Sequence, residues 1–396
     1  LLDFDGSSTG GNPLGDFISD GTFLYGMTFY GGNNFGTLFK IKPDGTSFSR
    51  VFDFNNSSSG SYPKGTLVYD GTFLYGTTSQ GGTNFSGTLF KIKPDGSSFT
   101  KLMDSVEGSG GFSPEGTLIL NGTSLIATKP SGGSSGLGRI YKINTDGTNY
   151  SSLFSFEVSG NSPTGSLISD GTFLYGMTAR GGAYNQGTIF KIKSDGTGFV
   201  RLFNFNGTLS GGIPHGSLFS DGTFFYGMTS QGGANDVGTI FKIKIDGTGF
   251  SKLLDLEYPT VGANASGSLI SDGTFLYGVN SGGGSNGYGV YYKIKPDGTE
   301  FTKLLDFDDT ANGANPNGPL ISDGTFLYGT TNGGGTNGYG TIFKVKMDGT
   351  GFVKLQDMDY PTGGILYGSL VSDGTFLFGM TSSGGLNDSG TVFKIK

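Results

Sequence analysis

The sequence has no cysteine, no tryptophan and only one histidine, His215. Without cysteine the chain cannot form disulfides or thiolate metal sites. A single imidazole cannot build a histidine-rich metal centre. We place His215 in a loop after Pro214, and a role as general base for it alone is not favoured. These absences remove several common classes of catalytic site.

The chain also lacks an excess of positive charge and long apolar runs. It has 25 Lys and Arg residues against 32 Asp and Glu, a net charge of −7, and no basic run, so we expect no nucleic-acid partner. No apolar run reaches the roughly 18 residues that a membrane helix needs. No signal segment precedes Leu1, and we expect this segment to be soluble, with no membrane span.

Repetition is what the sequence has in abundance. An Asp-Gly or Asn-Gly pair before an aromatic strand recurs eight times, at intervals of 49 to 51 residues. These pairs begin at Asp20, Asp70, Asn121, Asp170, Asp221, Asp272, Asp323 and Asp373. A second Asp-Gly pair occurs seven times, at Asp44, Asp95, Asp146, Asp195, Asp246, Asp297 and Asp348. Each repeat therefore predicts four strands, a to d, with two-residue type I′ hairpin turns at the Asp-Gly pairs.

The eighth repeat has no strand d of its own, and the first residues of the chain supply one. The chain ends at Lys396 in a strand c, while residues 1–5 (LLDFD) contain the LDFD of strand d at residues 305–308. A closed ring needs such a pairing and an open solenoid does not. We therefore predict an all-β fold, an eight-bladed β-propeller with four antiparallel strands per blade and a three-plus-one last blade.

We expect a single domain over residues 1–396. The predicted blades are residues 12–55, 62–106, 113–157, 163–206, 213–257, 266–308, 317–359, and 367–396 with 1–5. In blade 1 we place the four strands at 16–19, 22–28, 37–42 and 48–54. Blade 3 diverges most, with Ser124 and Ile126 where other repeats have Phe and Tyr.

Each repeat also carries Gly-Thr-Ile/Leu/Val-Phe-Lys-Ile or a close variant after a Gly-Gly loop, with Leu-Tyr-Gly before it. The copies begin at Gly36, Gly87, Gly187, Gly238, Gly340 and Gly390, with divergent ones at Gly138 and Gly289. Across all eight units the pattern resembles the GloVer-type tandem repeats of bacterial surface proteins and, more weakly, kelch repeats. The resemblance implies an exported protein, often with a separate anchor, and no assigned catalytic activity or site residues. Since the chain also begins in mid-strand without methionine, we expect a piece of a longer secreted or anchored chain, extracellular or at the cell surface.

Function is expected where the repeats differ from one another. We call the b–c and d–a loops together the loop face, and the a–b and c–d turns the turn face. The turn face is uniformly Asp-Gly or Asn-Gly, whereas the loops vary, so a ligand is expected on the loop face. The predicted binding residues are the aromatics of blades 6 to 8 and blade 1: Tyr258, Tyr288, Tyr339, Tyr360, Tyr367, Phe29, Tyr30 and Phe35. Stacking on sugar rings, a protein hot spot, or rings that only close their own loops remain open alternatives.

Carboxylates recur at the end of strand d, with three interpretations. A loop-stabilising role explains their presence in most blades. Alternatively, Asp306, Asp308 and Asp309 bind calcium, although the EF-hand spacing is absent. In the third interpretation Asp308 and Asp359 act as an acid/base pair on a glycoside. We predict no cofactor and no catalytic residue, with calcium as the alternative.

The sequence as a whole favours a non-enzymatic binding or adhesion propeller that recognises a glycan or a protein through its loop face. Two alternatives remain: a carbohydrate-active hydrolase that uses loop-face carboxylates, and a structural tile of a surface filament.

Overall fold

The computed structural model describes residues 1–105, 118–157, 160–366 and 368–396. Regular structure in these residues is entirely β-strand, and none of them belongs to a helix able to cross a membrane. The chain divides into two compact units. Unit 1 comprises Leu1–Gly132, Ile140–Ser152 and Asp359–Lys396, and unit 2 comprises Gly133–Arg139 and Leu153–Met358.

The strands follow one another at regular intervals. The first fifteen are β1 (Leu2–Asp3), β2 (Gly11–Pro13), β3 (Ile18–Ser19), β4 (Leu24–Tyr30), β5 (Thr37–Ile41), β6 (Ser49–Asp53), β7 (Ser61–Pro63), β8 (Val68–Tyr69), β9 (Leu74–Gln80), β10 (Thr88–Ile92), β11 (Thr100–Asp104), β12 (Ile119–Asn121), β13 (Ser124–Lys129), β14 (Arg139–Asn144) and β15 (Ser151–Ser155). The next sixteen are β16 (Asn161–Ser169), β17 (Phe173–Arg180), β18 (Thr188–Lys193), β19 (Val200–Asn204), β20 (Gly212–Ser220), β21 (Phe224–Gln231), β22 (Thr239–Lys244), β23 (Ser251–Asp255), β24 (Ala263–Ser271), β25 (Leu276–Gly282), β26 (Val290–Ile294), β27 (Thr302–Asp306), β28 (Ala314–Ser322), β29 (Phe326–Gly333), β30 (Thr341–Lys346) and β31 (Val353–Asp357). The last three are β32 (Val371–Ser372), β33 (Leu377–Thr381) and β34 (Thr391–Ile395).

These strands form eight antiparallel sheets, each with the order a-b-c-d, and the predicted eight-bladed β-propeller is confirmed. Strand a is divided into two segments in blades 1 and 2, β2 with β3 and β7 with β8. The sheet of blade 8 has the order β1-β34-β33-β32, so the three-plus-one blade is also confirmed. Leu2 pairs with Val392 and Asp3 with Thr391.

Strand a is longer than predicted. In blade 4, β16 pairs with β17 first from Asn161 to Thr164 and again at Ile168 and Ser169, with a register shift between. The predicted start near residue 16 in blade 1 therefore captured only the second segment, because the bulge interrupts the apolar alternation. For the same reason His215, predicted in a loop, lies within β20 opposite Met228.

The Asp-Gly pairs make turns at the predicted places, but the type I′ prediction is wrong. In blade 5 only Gly222 has a positive φ, +88°, and Asp221 does not. The loop residues are Gly222 and Thr223, because the Asp221 N–H donates to the Phe224 carbonyl, 3.2 Å. The Asp221 carboxylate accepts the N–H groups of Thr223 and Phe224 at 2.8 and 2.7 Å. The aspartate thus precedes the loop and caps it.

The second turn is a three-residue loop. The Gly45 N–H donates to the Lys42 carbonyl at 2.8 Å, and the Lys42 N–H donates to the Thr46 carbonyl at 3.0 Å. Gly45 has φ +85°, as expected for a glycine that follows a type I turn and allows the strands to pair again. The Asp44 carboxylate accepts the Thr46 N–H at 2.8 Å.

Strands b and c supply the core of each blade. In blade 1, Leu24, Tyr25, Leu38 and Phe39 are at most 2% exposed, whereas strand d is partly solvent-exposed. The strand b tyrosine also reaches back to its own turn, where its hydroxyl donates to the capping aspartate at 2.7 to 2.8 Å. This bond joins Tyr25 to Asp20, Tyr75 to Asp70, Tyr175 to Asp170, Tyr226 to Asp221, Tyr277 to Asp272 and Tyr328 to Asp323.

A buried threonine pair ties strands b and c together near the loop face. Thr28 and Thr37 in blade 1 have hydroxyl oxygens 2.8 Å apart, and five other blades contain the same pair. They are Thr78–Thr88, Thr178–Thr188, Thr229–Thr239, Thr331–Thr341 and Thr381–Thr391. In divergent blade 3 the corresponding positions carry Lys129 and Arg139, each 2% exposed.

Candidate binding site on the loop face

Four aromatic side chains meet on the loop face of blades 1 and 2, within unit 1. Phe29 and Tyr30 end β4, Phe35 precedes β5, and Tyr62 lies in β7 of blade 2. The Phe29 and Tyr62 rings are stacked with centroids 4.8 Å apart, and Tyr30 stands edge-on to Phe29 at the same distance. Tyr62 also contacts Tyr30 at 5.9 Å and Phe35 at 6.4 Å. We call these four residues the blade 1–2 cluster.

The backbone holds Tyr62 in place from both sides. Its N–H donates to the Phe35 carbonyl at 2.8 Å, and its carbonyl accepts the Ser79 hydroxyl at 2.8 Å. Tyr62 adopts φ +55°, a conformation that bulky residues seldom take. Asn12, Ser162, Ile213, Asn264 and Asn315 occupy the equivalent position in other blades with φ of 50 to 55°. The chain therefore keeps a tyrosine where asparagine would be less strained.

The cluster is a property of these two blades and is not required by the repeat. At the position of Phe29 the other blades have Ser79, Pro130, Ala179, Ser230, Ser281, Asn332 and Ser382. At the position of Tyr30 they have Gln80, Ser131, Arg180, Gln231, Gly282, Gly333 and Ser383. The Tyr30 side chain is 43% exposed and the other three rings are partly buried. An exposed ring supported by three others is a preorganised surface for stacking.

One cation lies beside the cluster. The Lys64 ammonium is 5.2 Å from the centroid of the Phe29 ring, a cation–π distance, and the side chain is partly buried. The other repeats have Leu14, Glu115, Thr164, His215, Ser266, Asn317 and Tyr367 at this position in the sequence. Lys64 is therefore the one cationic lysine or arginine in that column of the repeat.

The strand d carboxylates stabilise their own loops. The Asp104 carboxylate accepts the Thr83 N–H at 2.8 Å and pairs with Lys101 at 2.8 Å, and equivalent bonds recur in blades 5, 6 and 7. Burial alone would raise the pKa of Asp104, but the Lys101 ammonium and the Thr83 donors hold it below its usual range. These contacts fit the loop-stabilising interpretation of the recurring carboxylates.

The three carboxylates predicted to bind calcium have separate contacts. Asp306 pairs with Lys303 at 2.6 Å and accepts the Ser285 N–H, whereas Asp308 accepts the N–H groups of Ala311 and Asn312. In the described ranges, no three acidic or histidine side chains gather closely enough to hold a metal ion. The structure therefore does not bring Asp306, Asp308 and Asp309 into one ligand set.

Asp308 and Asp359, the two aspartates considered for a hydrolase, likewise accept hydrogen bonds from their own loops. Asp359 accepts the Thr362 N–H at 2.7 Å and also the Thr362 hydroxyl. Asp308 caps its own loop in the same way, at 2.9 Å to Asn312 N. Asp5, Asn55 and Asn206 cap the corresponding loops of other blades. A repeated capping role explains these carboxylates without catalysis.

The remaining predicted aromatics lie on other blades. Tyr258 and Tyr288, 52% and 38% exposed, belong to blade 6 in unit 2, and Tyr339 belongs to blade 7. Tyr360 lies in unit 1, where its hydroxyl helps hold the pKa of the Asp388 carboxyl below its usual range. Tyr367 lies outside the described residues. Of the eight predicted residues, Phe29, Tyr30 and Phe35 are brought together in one cluster.

Sequence reasoning missed Tyr62 and Lys64. Both lie at the start of strand a of blade 2, a segment predicted as loop and as part of a different blade from Phe29. An alignment of the eight repeats contains the signal, because Tyr62 is the only aromatic residue and Lys64 the only lysine or arginine at its position.

The sequence comparisons identify the repeat. The Gloeobacter/Verrucomicrobia repeat matches four overlapping stretches, residues 1–174, 69–219, 121–275 and 260–396. The match confirms the resemblance to GloVer-type repeats. No curated protein matches the chain.

Solved structures resemble the fold at low sequence identity. An oligogalacturonate lyase in complex with manganese is 12% identical, with 98% of this chain and 97% of that chain covered and a TM-score of 0.52. A prolyl endopeptidase structure (12%, TM-score 0.53) and a puromycin-hydrolysing peptidase of Mycobacterium tuberculosis (12%, TM-score 0.52) match over 92% and 95% of this chain. This chain spans 53% and 59% of the length of those two peptidases. Such likeness supports the fold alone.

Proposed function

The chain belongs to the Gloeobacter/Verrucomicrobia repeat family, and we propose on that footing that it is a non-enzymatic binding module that recognises a glycan on its loop face. The blade 1–2 cluster is the observation that carries the proposal. Its four rings contact one another while Tyr30 remains 43% exposed, so a flat apolar surface is held ready at little further entropic loss. The apolar face of a sugar ring fits such a surface, and the tyrosine hydroxyls suit its polar edge.

The proposal places the protein outside the cell or on its surface, within a longer secreted or anchored chain, and it requires no cofactor. The loop-face carboxylates of blades 2, 5, 6 and 7 have structural partners, which supports binding without hydrolysis. We expect the melting temperature and ligand binding to be the same before and after treatment with EDTA. A fall in either after chelation would instead support calcium binding.

Binding to a glycan array, followed by calorimetry with the strongest ligand, tests the site. We expect Tyr30→Ala to weaken binding at least about tenfold, which corresponds to about 1.4 kcal/mol, because it removes the exposed stacking surface. Tyr184→Ala is the matched control, since Tyr184 is a 61% exposed tyrosine on the loop face of blade 4. Equal loss in both variants, or none in Tyr30→Ala, would contradict the proposed site.

The same experiment separates the alternatives. Release of shortened oligosaccharides would identify a hydrolase, and retention of a protein but no glycan would identify a protein-binding module. If the protein bound none of the ligands, a role as a structural tile of a surface filament would be favoured. Loss of binding in Tyr288→Ala would identify a binding surface in unit 2 at one of the predicted tyrosines.

A further inference from the structure

We infer that the glycan bound at the blade 1–2 cluster is acidic, with a carboxylate of a uronic acid unit paired to Lys64. The inference rests on the proposed function and names its ligand class. It concerns one side chain, the Lys64 ammonium, and its place beside the Phe29 ring.

Lys64 is distinguished by its place beside the Phe29 ring, and in the described part of the chain it forms no ion pair, as is also true of Arg180 and Arg201 in blade 4. Arg50, Lys101, Lys252, Lys303 and Lys354 each pair with the aspartate three residues later. The protein has a net charge of −7, whereas the surface beside the cluster carries a positive charge that no acidic side chain of the described residues pairs with.

The position of Lys64 also disfavours a cationic ligand, since its ammonium would repel a second positive charge. Its ammonium already lies 5.2 Å from the Phe29 centroid, while the Tyr62 ring is stacked on Phe29 at 4.8 Å. No aromatic cage is therefore left for a quaternary ammonium group. A ligand stacked on Tyr30 with an anionic group near Phe29 would instead accept a charge-assisted hydrogen bond from the Lys64 ammonium.

Blade 1 lacks the hydrogen bond that the b–c loop of other blades donates to the strand d aspartate. Its b–c loop, residues 31–36, is one residue shorter than the corresponding loop 81–87 of blade 2. In blade 2 the longer loop brings the Thr83 N–H to Asp104, whereas in blade 1 the Asp53 Oδ1 atom is buried without a hydrogen bond. The other Asp53 oxygen lies 3.5 Å from the Arg50 guanidinium, so Asp53 retains an ion pair. Loss of a recurring cap at one blade is expected where function competes with stability.

A charge-matched pair of ligands tests the inference by calorimetry. The probes are a 1,4-linked uronate hexamer and the same hexamer with its carboxyl groups reduced to hydroxymethyl groups. We expect the wild type to bind the uronate at least tenfold more tightly at low salt, Lys64→Gln to lose that preference, and Lys64→Arg to retain it. Lys193→Gln, which removes an exposed lysine of unit 2, is the control for net charge and should retain the preference.

The outcomes distinguish an incorrect ligand class from an incorrect function. If the wild type binds both hexamers equally, or Lys64→Gln keeps the preference, the acidic ligand is wrong while a glycan site stands. If Tyr30→Ala binds as the wild type does, the proposed site is wrong, and if neither hexamer nor any array glycan binds, the proposed function itself is wrong. Unchanged melting temperatures of the variants show that each result reflects binding and not unfolding.

Discussion

The strand b tyrosine and the turn aspartate act as a pair, and the eight repeats show this by their exceptions. Where the tyrosine becomes Ile126 in blade 3, the aspartate becomes Asn121. In blade 8 the tyrosine is Phe378, which is fully buried, and Asp373 still caps its turn through the Phe376 N–H at 2.8 Å. The hydroxyl thus adds to a turn that forms without it.

We expect Tyr226→Phe to lower the free energy of unfolding by about 1 kcal/mol, because it removes the hydroxyl that donates to Asp221 at 2.8 Å. Phe378→Tyr is the reciprocal variant and should raise stability by a similar amount through a new bond to Asp373. Denaturant unfolding measures both. The two changes in the free energy of unfolding must have opposite signs. Destabilisation of both variants would show that packing of the ring, and not the hydroxyl, decides the effect.

The element on which every blade depends is the capped turn. Burial alone would raise the pKa of Asp221, but the N–H groups of Phe224 and Thr223 and the Tyr226 hydroxyl hold it below its usual range. At the second turn the Thr248 hydroxyl and N–H hold the pKa of Asp246 low. The same direction is found for the capping aspartates of both turn series, for example Asp20, Asp70, Asp272, Asp44 and Asp195.

These shifts fix the sign of the pH dependence. A carboxylate with a lower pKa in the folded state stabilises the protein above the unfolded-state pKa, and that stability is lost as pH falls through the folded-state value. We expect the melting temperature to be level from pH 7 to about pH 4, near the unfolded aspartate pKa, and to fall steeply below it. Asp221→Asn, which imitates blade 3, should reduce the slope below pH 4. A melting temperature that stays level to pH 3 would contradict the role of the caps.

At this scale the sequence predicts elements well and their geometry less well. The period of the Asp-Gly pairs locates all eight blades, because a turn depends on its own local sequence and not on residues that are distant in the chain. The type I′ assignment failed since the aspartate side chain caps the loop from outside, which a dipeptide does not reveal. Strand a was shortened because its bulge breaks the alternation that predicts a strand.

The candidate site was predictable in part for a physical reason. Phe29, Tyr30 and Phe35 lie within one loop of blade 1, so local sequence groups them. Tyr62 and Lys64 come from the next blade and reach the cluster only through the pairing of Tyr62 N–H with the Phe35 carbonyl. Contacts between blades depend on register at a distance, which a single repeat does not specify.

At the scale of the molecule, residues 1–5 complete blade 8 within unit 1. Phe4 is fully buried and meets Phe39 of blade 1 edge-on at 5.3 Å. The Phe4 N–H donates to the Gly390 carbonyl at 3.0 Å, and the Asn387 side chain donates to the Phe4 carbonyl at 3.2 Å. The segment therefore joins the first and last blades in sequence.

We expect deletion of residues 1–5 to destabilise the protein by at least about 3 kcal/mol, the usual minimum for removal of a buried phenylalanine, and to promote aggregation through the bare edge of β34. The matched control transfers residues 1–5 to the end of the chain, after Lys396 and a copy of Pro296–Lys303 that supplies the c–d turn. Calorimetry and light scattering compare the two. Recovery in the transferred chain shows that pairing and not chain order matters, and equal stability of the deleted chain would contradict the closing role.

The pairing of β1 with β34 also sets an order of events during synthesis. The Leu1 nitrogen donates to the Val392 carbonyl across 391 positions, whereas β16 to β19 of blade 4 lie between Asn161 and Asn204. We expect blades whose four strands are consecutive in sequence to form before blade 8, because their strand pairings close short loops. Blade 8 must wait for the last strand, and until then β1 carries an edge that fits strand c of every repeat. In the folded chain β6 occupies that edge of β5, and we expect its early pairing to limit mispairing with β1.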